Sequence, residues 1–155
     1  MPRAFPHAPG ALKNVLAIAT GASDGFGFGS NARAALITRG LAEMSRLVVA
    51  KGGDPLTLLG LAGVGDLVLT CTSTLSRNYT TGKQLSEGMT MDEIRASSKA
   101  VAEGVFTALA IHQMAAKLGV DMPICEQVYK CIYENMPIKE ALGNLQSRPL
   151  RAEHD

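Results

Sequence analysis

Apolar positions recur every three or four residues along most of the chain, the spacing of helices that bury one face. In Ala11–Asp24, Leu12, Val15, Leu16 and Ala19 follow this period, and Gly21 weakens the helix towards its end. The stretch GASDGFGFGS places four glycines within ten residues and predicts a loop. The strongest signal spans Asn31–Ala50. There Ala34, Ala35, Thr38, Leu41, Ala42, Ser45, Val48 and Val49 trace one face of small and apolar side chains. Ser30 or Asn31 can cap its start, and Gly52–Gly53 can end it. A helix of this length is about 30 Å long. Its small residues invite close neighbours, which makes it the expected central helix.

Asp54–Pro55 is a capping side chain followed by a first-turn proline, so a short helix is expected over Leu56–Leu61. Gly60, Gly63 and Gly65 break it. The run Leu67-Val68-Leu69-Thr70 fits a buried strand or a helix. Helix is preferred, because no neighbouring segment offers a strand to pair with. Thr72–Thr81 reads as polar and irregular. Thr90-Met91-Asp92-Glu93 matches a capping box. Further helices are expected over Glu103–Lys117, stopped by Gly119, and over Ile124–Glu134 and Ile138–Leu145, each behind a proline. The fold class is all-α, a multi-helix bundle of seven or so helices. An irregular lead-in or cloning remnant is expected over 1–9, one domain over 10–147 and a frayed tail over 148–155.

Composition narrows the function classes. Aromatic residues are 5% of the chain and Trp is absent, so Ala, Leu, Ile, Val and Met must build the core. Fifteen basic and fourteen acidic side chains leave a net charge of +1, too little to draw nucleic acid or an anionic membrane. No apolar run approaches the roughly 18 residues needed to span a bilayer. Cys71, Cys125 and Cys131 lack the spacing of a zinc site and read as buried thiols of a cytoplasmic protein. No metal is expected. His7, His112 and His154 do not cluster.

A few residues carry candidate chemistry. Lys13 follows Leu12 and precedes Val15 and Leu16, all expected to be buried. A partly desolvated ammonium there can act as a general base or acid, whereas most lysines are solvated surface charges. Asp66 follows AGVG and is either a cap or a partner that tunes a lysine. Ser76-Arg77-Asn78 can donate to a phosphate, and the equal alternative is a serine cap beside an exposed arginine. GFGFGS and AGVGD both miss the GxGxxG pattern and follow no strand, so no dinucleotide fold is read here.

Four strings, GALKNVLAIATG, NARAALITRGLAEMSRL, GLAGVGDLVLTCTSTLSRN and KAVAEGV, together resemble the bacterial-type NAD(P)-dependent glycerol-3-phosphate dehydrogenases. The likeness runs in order from about Gly10 to about Leu145. It implies the helical C-terminal domain shared with 6-phosphogluconate dehydrogenases. It also implies reversible reduction of dihydroxyacetone phosphate to sn-glycerol 3-phosphate with NADH or NADPH, a step towards glycerophospholipids. By the same resemblance Lys13 is the catalytic proton donor and acceptor. Asp66, Ser76, Arg77 and Asn78 line the substrate site, with Asn14 and Thr70 as further contacts. Arg77, Val101 and Glu103 reach the cofactor. The family's Rossmann domain, with its GxGxxG and a second substrate lysine, has no counterpart in these residues. Met1–Pro9 does not resemble the family segment before GALKN, and Tyr79 stands where relatives often carry Arg.

The expected protein is thus the substrate half of a dehydrogenase, inactive without its nucleotide-binding half. The alternative from another class is a non-catalytic helical binding or dimerisation module, whose exposed apolar surface would favour a homodimer. A third reading is a relative acting on another 2-hydroxy or sugar-phosphate substrate.

Overall fold

The protein is all-helical. The structure, a computed structural model, describes residues 8–59, 61–97 and 102–146. Eight α-helices follow in order among them: α1 (Ala8–Gly25), α2 (Gly29–Ala50), α3 (Asp66–Thr72), α4 (Arg77–Ser86), α5 (Met91–Ser97), α6 (Glu103–Leu118), α7 (Pro123–Tyr133) and α8 (Ile138–Gln146). A 3-10 turn (Pro55–Leu59) and a π-helical turn (Leu61–Gly65) join α2 to α3. No strand occurs among the described residues. The run Leu67–Thr70 lies inside α3, so the helical reading holds.

The central helix is α1, not α2 as expected. Every residue from Val15 to Ser23 is buried, and α4, α2, α6, α3 and α7 all pack on it. A helix apolar on all sides has to lie inside the bundle, and VLAIA is such a run. The face assigned to α2 is largely outside: Ala34, Ala35, Thr38 and Val49 are exposed. Its inward face is instead Leu36, Gly40, Glu43, Met44 and Leu47. Small side chains permit close packing but do not compel burial, whereas large apolar ones lose most by exposure.

Several ends behave as their residues dictate. Thr90 Oγ1 accepts from the Glu93 N–H and Glu93 Oε1 accepts from the Thr90 N–H, each at 3.1 Å, which closes the capping box. Gly119 takes the left-handed conformation that ends α6. Asp54 Oδ1 accepts the Leu56 N–H at 2.9 Å. Other expectations are corrected. Neither Ser30 nor Asn31 caps α2, which starts at Gly29 behind Phe28 without a side-chain cap. The loop before it shrinks to the residues between Gly25 and Gly29, so glycine content overstated its length. Thr72–Thr81 is not irregular throughout, because α4 begins at Arg77. Ala8 and Pro9, expected in the lead-in, open α1 with proline in its first turn. The rest of the expected lead-in and the expected tail lie outside the described residues.

Two contacts hold the frame. At the first, α1 and α4 cross with almost no side chain between them. A Cβ at Gly82 would sit 1.9 Å from the Ile18 carbonyl oxygen, and one at Gly21 would sit 2.1 Å from that of Tyr79. The second is Glu43, fully buried on α2, whose carboxylate accepts the Ile124 N–H at 2.7 Å and the Cys125 N–H at 3.3 Å. It thereby satisfies donors that the start of α7 would otherwise leave orphaned. Burial pushes its carboxyl up to about 7, against the opposing pull of those two N–H bonds.

Gly82→Ala drives a methyl into backbone, which cannot move aside as a side-chain tip can. It should destabilise the fold by about 2–3 kcal/mol, the upper part of the overpacking range. An unchanged denaturant midpoint would contradict the close crossing. For Glu43, the folded state holds the proton more tightly than the unfolded chain does. Stability should therefore fall as pH rises from the ordinary 4.5 to about 7, by at most roughly 3 kcal/mol, and change little from this group above that. Glu43→Gln keeps an acceptor oxygen without the charge and should flatten that slope in denaturant titrations. Equal slopes in both proteins would remove Glu43 as its source.

Candidate functional site

The amino-terminal half of α1 carries Lys13 and Asn14 side by side, both half-buried. Lys13 Nζ donates to Asp66 Oδ2 in an ion pair across 53 residues of sequence. Both side chains keep contact with solvent, at 27% and 38% exposure. Asp66 owes its place to the glycine-rich π turn, which leads directly into α3 and presents the first residue of that helix to α1. Such wide turns recur at functional sites because they re-aim one side chain. Thr70 lies one turn further along α3, on the same side as Asp66, and is half-buried.

Asn14 turns to the start of α6, where its amide donates to Glu103 Oε2 at 3.4 Å. The next residue, Gly104, is buried and packs against α1 and α4 together. Its N–H donates to Asn78 Oδ1 at 2.7 Å, and a Cβ there would lie 2.8 Å from the Asn14 carbonyl oxygen. The starts of α4 and α6 thus meet beside Lys13 and Asn14. The positive ends of the two helix dipoles make this end of the bundle favourable to negative charge.

The three residues of Ser76-Arg77-Asn78 behave differently from one another. The Ser76 hydroxyl caps α4, accepting the Tyr79 N–H at 3.3 Å. Asn78 is buried and spends its carbonyl oxygen on Gly104. Arg77 is exposed at the mouth of a cavity between α4 and α5. The structure therefore brings Lys13 to Asp66, Asn14 to Glu103 and Asn78 to the start of α6. Val101 lies outside the described residues.

A network missed at the sequence level braces this corner. The Tyr79 hydroxyl donates to Asp24 Oδ2 at 2.5 Å, and Arg33 donates to both oxygens of Asp24, at 3.2 and 2.8 Å. Burial and the bond to Asp24 push the Tyr79 phenol up, and the Asp24 bond raises Arg33 in turn. Tyr79, remarked on only as a replacement for arginine, is thus a tie between α4, α1 and α2. The glycine after Glu103 was also passed over. Its signal was faint, since one glycine at a helix start reads equally as a loop residue.

The remaining chemistry-bearing residues are structural. Cys71 and Cys131 are buried and pushed up to about 12 by desolvation, and Cys125 is raised as well. They are inert packing thiols. His112 pairs with Glu126 at 2.8 Å and stacks on Tyr129. The described residues hold no group of three or more potential metal ligands, and none of their helices is long and apolar enough to cross a membrane.

The chain is 58% identical over 144 residues to a glycerol-3-phosphate dehydrogenase [NAD(P)+] of Geobacter sp. (strain M21), which covers 93% of this chain and 43% of that protein. The chain thus spans about two fifths of that relative. A glycerol-3-phosphate dehydrogenase crystal structure from Coxiella burnetii superposes with a TM-score of 0.88 at 46% identity, over 94% of this chain and 45% of that one. The enzyme of that name from Saccharomyces cerevisiae superposes with a TM-score of 0.78 at 31% identity, over 90% and 41%. Residues 7–143 match the family described as NAD-dependent glycerol-3-phosphate dehydrogenase C-terminus, and the chain belongs to that family.

Proposed function

We propose that this domain binds dihydroxyacetone phosphate or sn-glycerol 3-phosphate and exchanges the proton of the reaction through Lys13, within a full-length NAD(P)-dependent dehydrogenase. The observation that carries the reading is the Lys13–Asp66 pair, a cation braced by a carboxylate yet still open to solvent. The names of the relatives support the substrate class.

During reduction the carbonyl oxygen gains negative charge as its carbon gains a hydride. Lys13 stabilises that charge and delivers the proton that completes the alcohol. In the reverse direction neutral Lys13 takes the hydroxyl proton. Asp66 holds the amine in place, and Thr70, one turn along, lines the same side. Arg77 takes the substrate phosphate, with Ser76 and Asn78 fixing the helix that presents it. Asn14 contacts the substrate beside Lys13.

The nicotinamide of NAD or NADP supplies the hydride when bound. The described residues fit only its reactive end. Arg77 and the exposed Glu103 can meet its hydroxyl and phosphate groups, and the family resemblance adds Val101, which lies outside the described residues. No strand-glycine-helix cradle for a pyrophosphate occurs among them. The preceding part of the full-length protein would supply that cradle.

Exposed apolar side chains near the site support the same arrangement. Leu69, Leu75 and Phe106 are 69%, 93% and 62% exposed, and they stand on or next to the elements that carry Asp66, Arg77 and Glu103. Large apolar side chains left exposed in this way favour a further body that covers them. That body is the nucleotide-binding part or, in a homodimer, a second copy.

The 155-residue chain given NADH and dihydroxyacetone phosphate should oxidise no NADH above background. Joined to the amino-terminal remainder of the Geobacter relative, it should turn over. Lys13→Met in that fusion should lower kcat by about 10²–10⁴, the range of a lost general acid, with little change in KM. A Lys13→Met fusion as active as its parent would end the proposal.

A further inference from the structure

We propose that the cavity between α4 and α5 is a site for a phosphate-monoester dianion, in which Arg95 joins Arg77 as a second guanidinium. The inference deepens the phosphate role given to Arg77 above, and it rests on that reading.

The described arginines fall into two groups. Arg33 is committed to Asp24, Arg39 to the Leu145 carbonyl and Arg46 to the Asp121 carbonyl. Arg77 and Arg95 make no hydrogen bond or ion pair among the described residues, and both line one cavity of about 170 Å³. The charge of Arg95 is felt by the Tyr133 phenol. No carboxylate lines this cavity. Two cations facing one space repel each other and gain nothing there unless an anion enters.

The chemistry of the walls selects the kind of anion. Guanidinium forks match phosphate oxygens with paired bonds. Thr80 and Gln84 add neutral donors, while Met91 and Ile94 give an apolar floor to a short carbon body. The space is large enough to admit a phosphate. Arg95 sits in the last turn of α5 and is exposed, where it also complements the negative end of that helix.

The test is calorimetric titration of the 155-residue chain with glycerol 3-phosphate, inorganic phosphate and, as the neutral control, glycerol. Both anions should bind and glycerol should not. Arg95→Gln and Arg77→Gln should each weaken anion binding by about tenfold, and Arg95→Lys should restore part of it. Amide shifts at Lys13 and Asp66, followed in the same titration, separate the two readings. If Arg95→Gln binds as tightly as wild type while those shifts persist, the cavity site is wrong and the proposed function stands. If glycerol 3-phosphate moves neither those amides nor the cavity, both are wrong. Equal binding of glycerol would overturn the cavity site by itself, because the arginines would then select no charge.

Discussion

The structure depends on two helices crossing at backbone distance. α1 carries Lys13 and Asn14, and α4 carries Arg77 and Asn78. Gly21 and Gly82 let the two helices meet without intervening side chains, each pressed on a carbonyl of the other. A crossing of this kind has little freedom to slide, because every displacement brings backbone into backbone. The backbone positions that carry the amine and the guanidinium therefore belong to one rigid body, although more than sixty residues separate them in sequence. Gly104 extends that body to a third helix. Its N–H on Asn78 and its contact with the Asn14 carbonyl set the start of α6 against both.

The ionisable groups divide by burial. Those pushed far from ordinary values, Glu43 and the three thiols, are walled in by packing and serve the scaffold. Glu43 spends its carboxylate on the α7 donors, and the Tyr79–Asp24–Arg33 network joins α4 to α1 and α2. The Lys13–Asp66 pair is different, because it sits between core and solvent. A proton-transfer group needs a route for its proton as well as a tuned environment, and full burial would close that route. Perturbation alone would have pointed to Glu43; geometry and access point to Lys13.

The all-helical class, most helix stops and the capping box were legible in the sequence, because they follow from local rules. Thr90 and Glu93 are three residues apart, and Gly119 needs only its own backbone freedom. The misjudged features depended on partners distant in sequence. α2 had the longer regular pattern, but α1 was apolar on every side, and the first signal was weighed above the second. The start of α4 was hidden because Arg77–Ser86 is mostly polar; contact with α1 and a serine cap hold it helical. For the proposed site, resemblance supplied Lys13, Asp66 and Glu103 together, whereas residue type alone left Lys13 open and gave Glu103 only as a first-turn helix charge. Nothing in the sequence marked Arg95, since an exposed arginine in a short helix looks the same with or without a cavity beside it.

The site and the exposed apolar surface beside it also bear on each other. Arg77 and the Lys13–Asp66 pair stand near water as the domain is seen, where a charge interaction is weak. Leu69, Leu75 and Phe106, on or next to the elements that carry these groups, expose apolar surface that favours being covered. Covering that surface would exclude water from the charged groups and strengthen each of them without moving any. The domain thus holds the helices that carry these groups fixed at an open face, and under the proposed function closing that face would strengthen the charges there. A polar cluster on a mobile loop could not work this way, since covering would have to order it first. Here the ordering is already done by the glycine crossing of α1 and α4.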